Sequence, residues 1–218
     1  MTGVGIATGK VPMREWPTKS FVGGHAVLDF LNTAGGDTKA RDEERLESFS
    51  DLLTWAKASA IIDKKEFSAL RRIAAQSPDT ASECLREVRK QRECLYRYIV
   101  AVSGRGAVQQ ADRDVVERNC KAAFREAQLL PGLTGVSQWQ ILLDDVGLRL
   151  VKLRLDLATS TLITGAVSAD IRQCEMCTWL FIDPSSSKRR RWCSMALCGN
   201  RAKVQRHYYR SRDSEVPR

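Results

Sequence analysis

Four cysteines near the C-terminus, spaced Cys174-x2-Cys177 and Cys193-x4-Cys198 with fifteen residues between the pairs, constrain this chain more than any other feature. A Cys-x2-Cys knuckle points two thiolates at one metal while the backbone turns beneath them. Two such pairs at this separation fill a tetrahedral shell. The spacing predicts one structural Zn2+ held by Cys174, Cys177, Cys193 and Cys198, because a closed four-sulfur shell leaves no position for water or substrate. A redox dithiol at the first pair leaves Cys193 and Cys198 unexplained. The spacing also matches no common iron–sulfur pattern. Cys84, Cys94 and Cys120 fall singly within helical patterns and read as small buried residues.

The residues between the pairs suggest a shape. Thr178 to Ile182 is aromatic and apolar and suits a strand, Asp183-Pro184-Ser185-Ser186-Ser187 supplies a turn, and Arg190 to Cys193 is expected to return as the partner strand. After Cys198, Gly199 and Asn200 lead into a helix reaching about Tyr209. A knuckle, a hairpin and a helix bringing in the last ligand make a treble-clef-like finger over 171–212. A unit this small buries too little surface to stand without its metal.

Charge concentrates on the same unit. Of the formal net charge of +9, residues 171–218 carry +7, eleven Lys and Arg against four acids. Four thiolates and one zinc ion still leave about +5 there. A basic tail on a nearly neutral body suits a polyanion, nucleic acid first, although a merely solvated tail has the same composition. The candidate contacts are Lys188, Arg189, Arg190 and Arg191 on the hairpin, then Arg201, Lys203, Arg206 and Arg210. Lys203, Arg206, His207 and Arg210 share one helix face by spacing. Trp179, Phe181 and Trp192 read mainly as finger core.

Upstream the pattern is mainly helical with minor β. Residues 1–20 read as a flexible leader and 21–166 as a multi-helical domain, with the boundary near 166–171. The run Val27 to Leu31 fits a short helix or a strand. Helices are expected from Ser50 as N-cap, from a capping box of Asp63 and Glu66, from about Thr80 to Gly104, and from about Gln109 to Gln128. Ser137 to Asp144 alternates as a strand, and 147–165 fits either a helix or a strand, with length favouring the helix. No apolar run is long enough for a membrane helix and none resembles a signal peptide, so a soluble, cytoplasmic chain is expected. The two histidines, His25 and His207, and the lack of a phosphate loop or paired carboxylates point away from an enzyme.

The stretch Trp192-Cys193-Ser194-Met195-Ala196-Leu197-Cys198-Gly199-Asn200-Arg201-Ala202-Lys203 resembles the signature of CGNR zinc-finger proteins, named for the residues found here at 198–201. Cys174-x2-Cys177-x2-Leu180-Phe181-Ile182-Asp183 and the basic run 188–191 match it as well. Leu28-Asp29-Phe30-Leu31-Asn32-Thr33 resembles the ABATE domain that usually precedes this finger in bacteria. The resemblance implies a stress-induced transcriptional regulator whose finger binds DNA and whose N-terminal domain senses a small-molecule effector or dimerises. The alternative is a zinc-stapled RNA-binding or protein-interaction module. Arg201 reads equally as structural or DNA-contacting. His25, Asp29, Asn32 and Thr33 read as a candidate ligand pocket or as a helix-end capping network.

Overall fold

The structure, a computed structural model, describes residues 13–104, 106–132 and 135–213, without the side chains of 209–213. Its helices are α1 (Ala26–Leu31), α2 (Phe49–Ala58), α3 (Lys64–Gln76), α4 (Pro78–Ser103), α5 (Gln110–Glu126), α6 (Leu143–Val146), α7 (Leu150–Thr164) and α8 (Asn200–Asp213). Two antiparallel ribbons complete it, β1 (Gln128–Pro131) with β2 (Ser137–Gln140) and β3 (Ile171–Gln173) with β4 (Leu180–Ile182). The architecture is mainly α with minor β, as the pattern implied.

Local chemistry sets the element ends. Helix α2 begins two residues earlier than the expected N-cap implies. Ser48, not Ser50, is the N-cap, and it exchanges hydrogen bonds with Asp51 in a capping box. The Asp63–Glu66 box starts α3 as expected. Helix α4 opens with Pro78 at a first-turn position, where no N–H is needed.

Helix α7 resolves the ambiguity at 147–165. Leu150, Val151, Leu153, Leu155 and Leu162 are all buried, and so are Asp156 and Thr159. It lies between α5, α1 and α4, so it is apolar around most of its circumference. An all-round apolar helix contains the period-2 alternation of a strand by accident. The strand expected over 137–144 stops at Gln140, because Ile141 turns wholly into the core and α6 follows. The tail of the helix expected to reach 128 is instead the strand β1, whose Leu129 lies opposite Trp139.

The core of the helical body reaches the β3–β4 ribbon, and the finger has its own smaller cluster of Trp179, Phe181 and the four cysteines. Trp55, Phe30, Leu28, Leu31, Leu52 and Leu155 are almost fully buried in one cluster, and Ile171 and Leu180 of the β3–β4 ribbon belong to it. Ahead of α1, Trp16 donates its indole N–H to Thr54 Oγ1 at 3.0 Å, and Arg14 pairs with Glu47 at 2.6 Å. Part of the stretch expected as a flexible leader therefore lies against α2, and residues 1–12 lie outside the described ones.

Candidate metal centre and nucleic-acid interface

Strand β4 carries the finger, but its partner is not the segment expected. Residues 190–193 form no strand. The ladder is made by β3, which precedes the first knuckle and pairs Arg172 with Phe181. The return segment is held by one buried side chain. Asp183 accepts from the N–H of Ser185 and of Arg190, at 3.0 and 2.9 Å, so a carboxylate does the work of a ladder. The N–H of Glu175 bonds to the carbonyl of Arg191 and ties the two knuckles together.

The four cysteines converge. Their Sγ atoms lie within 4.8 Å of one another, and each residue is at most 1% exposed. Zinc bonded to sulfur at about 2.3 Å in a tetrahedron sets the sulfurs about 3.8 Å apart. Cys177 and Cys193 stand at 3.8 Å, and Cys193 and Cys198 at 3.5 Å. Around the sulfurs are donors suited to thiolates. Met176 N–H points at Cys174 Sγ (3.5 Å), Trp179 N–H at Cys177 Sγ (3.4 Å) and the Arg201 guanidinium at Cys198 Sγ (2.9 Å). Hydrogen bonds from the thiols of Cys177 and Cys193 favour the Cys174 thiolate, while its proximity pushes Cys177 up to about 12 and Cys193 upward too. A divalent cation bound here would hold all four as thiolates. The donor set fits a structural tetrahedral metal.

The eight candidate basic residues divide. Arg201 is committed inward. It donates to the carbonyls of Gly36 (2.9 Å) and Asp37 (2.5 Å) as well as to Cys198 Sγ. Arg190 lies over the Phe181 ring at 4.3 Å and donates to the carbonyls of Trp192 and Cys193. Lys188 pairs with Asp170 (2.7 Å) and Arg191 with Glu175 (2.5 Å) at the surface. Arg189, Lys203 and Arg206 are exposed and have no hydrogen-bond or ion-pair partner among the described residues. The Arg210 side chain lies outside the described residues.

The four residues near α1 are each engaged in hydrogen bonds of the fold. Asn32 has its amide in a two-way bond with Leu180 of β4, donating to the carbonyl at 2.9 Å and accepting from the N–H at 2.8 Å. It stands in for a third strand, and Gly23 C=O takes the N–H of Ile182 further along the same edge. Asp29 accepts from Gly23 N–H at 2.8 Å, and burial pushes its carboxyl up to about 6. Thr33 Oγ1 donates to Phe30 C=O and accepts from Arg92. His25 caps α1, accepting from Val27 N–H, and burial lowers its pKa.

A second seam had little signal in the sequence. Gly35 and Gly36, with φ of +65° and +117°, pass under the finger. A Cβ on Gly36 would lie 2.5 Å from the Trp179 ring. Trp179 donates its indole N–H to Gly35 C=O at 3.1 Å, and Lys39 Nζ donates to Cys174 C=O at 2.8 Å. Arg41, stacked on Tyr96 at 3.7 Å and paired with Glu93, fixes the base of this loop, and the Tyr96 hydroxyl donates to Thr178 C=O at 2.9 Å. The reason for the Gly-Gly pair lies some 140 residues away, at Trp179.

A helical body with a four-cysteine finger locked onto its first helix and glycine loop defines a class of protein that joins a candidate metal site to a helical scaffold. Comparison with family models places it further. The model described as "ABATE: Putative stress-induced transcription regulator" matches residues 24–165, and the CGNR zinc finger model matches 171–211. The chain belongs to the ABATE family and carries a CGNR zinc finger. Neither description names an enzyme. No curated protein matches the chain. Among the described residues no helix is long and apolar enough to cross a membrane.

Proposed function

We propose that this protein is a DNA-binding transcriptional regulator. In this reading one structural Zn2+ at Cys174, Cys177, Cys193 and Cys198 shapes the finger, and the helical body senses an effector or dimerises. The observation that carries it is the uncommitted cationic surface of the finger. Arg189, Lys203 and Arg206 face solvent with no hydrogen-bond or ion-pair partner among the described residues, while the basic residues that the fold needs point elsewhere. The surface pairs of Lys188 and Arg191 are worth little and yield readily to phosphate. Each phosphate neutralised adds about 0.9 to the slope of log K against log salt. Duplex binding by the zinc-loaded chain should therefore weaken steeply with salt. Replacing Lys203 and Arg206 by Ala should lower that slope by roughly 1.8 without loss of metal. An unchanged slope in the double variant would remove α8 from the interface.

One feature favours a second reading, a protein-interaction module. A largely apolar groove of about 800 Å³ runs between α8 and the Gly36–Asp37 loop, with Val204 and Tyr208 exposed on its wall. It lies on the opposite face of α8 from Lys203 and Arg206 by helical spacing. Val204→Asp tests the two readings against each other. It should leave duplex binding intact if the basic face is the working surface, and it should abolish partner capture if the groove is.

A further inference from the structure

The helical body has a cleft of mixed polar and apolar lining. It lies between the β1–β2 ribbon, α7 and the α2–α3 turn and has a volume of about 820 Å³. Its floor is Leu157 and Ala158 of α7 with Ile61, and its wall is β2. Residues of both parities of β2 line it, Gln138 and Gln140 as well as Trp139, so the strand stands edge-on to the cleft. Trp139 is 51% exposed. Its ring is held edge-to-face against Phe124 at 6.0 Å and 88°, so it is oriented although half open.

The polar groups of the cleft are of two kinds. The charged ones are already engaged. Arg154 forms a double bond pattern with Glu66 (2.6 and 2.8 Å) and gives its remaining donors to the carbonyls of Ile61 and Ile141. Asp63 caps α3 through the N–H groups of Lys65 and Glu66. The amides of Gln138 and Gln140 are different, for neither has a hydrogen-bond partner among the described residues. No cation is left to bind an anion. What remains is a stacking ring beside two neutral groups, each offering a donor next to an acceptor.

We infer that this cleft binds a neutral, flat heteroaromatic molecule whose edge carries adjacent hydrogen-bond donor and acceptor groups, a nucleobase-like ring. The ring stacks on Trp139 and its polar edge meets Gln138 or Gln140. This is the complementarity by which a glutamine amide reads adenine. The volume falls in the range of small-molecule sites and is too small for a folded partner. The inference deepens the sensory part of the proposed function and rests on that reading for its purpose, not for its geometry.

The test uses the full zinc-loaded chain and ligand-observed saturation-transfer NMR. Adenosine, cytidine and nicotinamide are the probes, and adenosine monophosphate and ribose are the comparators. At least one probe should receive saturation at its ring protons at millimolar concentration. The monophosphate should bind no more tightly than adenosine, and ribose should give no signal. Trp139→Ala should weaken the bound probe about tenfold, the size expected for loss of one stacking platform. The double variant Gln138→Ala, Gln140→Ala should weaken it while leaving the fold intact. Failure of all three probes overturns the inference, as does parent-like binding by Trp139→Ala. A change from dimer to monomer on Trp139→Ala overturns it too, since the cleft would then be a contact between copies. Duplex binding is measured on the same samples. Probe binding without duplex binding supports the cleft and sinks the DNA reading, and the reverse result does the opposite.

Discussion

Replacing Asn32 by Ala should cost far more than the loss of an ordinary polar side chain. Among the described residues the Asn32 amide is the partner of the N–H and C=O of Leu180 on the outer edge of β4, at 2.8 and 2.9 Å, and both residues are buried. Alanine leaves one buried donor and one buried acceptor unsatisfied. Each costs about 1–3 kcal/mol, so the loss is about 3 kcal/mol after partial relaxation. For a chain of this length one kcal/mol moves the melting temperature by about 2–4 °C, so a fall of roughly 6–12 °C is expected. Asn32→Asp should fall at least as far. It keeps an acceptor for the Leu180 N–H but sets a carboxylate against the Leu180 carbonyl. The assay is thermal unfolding followed by far-UV circular dichroism, with zinc content measured on the same samples. A shift below about 2 °C in Asn32→Ala would refute the argument that this amide closes the sheet edge.

Three further outcomes are expected. Gly36→Ala places a methyl where the Trp179 ring stands and forces φ of +117° on a residue with a side chain. It should lower the melting temperature and expose Trp179, seen as a red shift in its fluorescence, and Trp179→Leu in the same chain should relieve part of the loss. Cys198→Ser should lose the metal and also lower the melting temperature of the helical body, because Ile171 and Leu180 belong to the body's core. A metal-free variant that melts like the parent would refute both parts. Burial pushes Asp29 and Asp156 up to about 6, so each binds a proton in the folded state at pH values where the unfolded chain has lost it. Their contribution is fully present below the ordinary aspartate value near 3.8 and is lost as pH rises through about 6. Denaturant midpoints should therefore rise between pH 7 and pH 5.5, and Asp156→Asn should flatten that rise.

The parts legible in the sequence were those encoded locally. The Asp63–Glu66 box, the long amphipathic α4 and the cysteine spacing each depend on residues within a few turns or one loop. The parts that were not legible depend on distant partners. The partner of β4 is a three-residue strand upstream of the first knuckle, too short to carry a period-2 signal, whereas Arg190 to Cys193 had the residue types of a strand but is fixed by Asp183. Helix α7 is buried on most sides, which erases the amphipathic stripe that identifies a helix. Arg201 looked equally suited to phosphate and to packing. Its position between Cys198 Sγ and the Gly36 carbonyl is set by a loop 165 residues earlier.

The contact between Gly36 and Trp179 bears on how such chains change over generations. The indole fits only where residue 36 has no side chain, and the same ring gives its N–H to the neighbouring carbonyl. A finger grafted from a relative would have to bring a residue matched to that notch, or the notch would have to alter with it. Lys39, which reaches from the body to the carbonyl of the first cysteine, adds a second such dependence. The unit that drift or recombination can exchange freely is then the whole chain, and substitutions at positions 36 and 179 should be inherited as a pair.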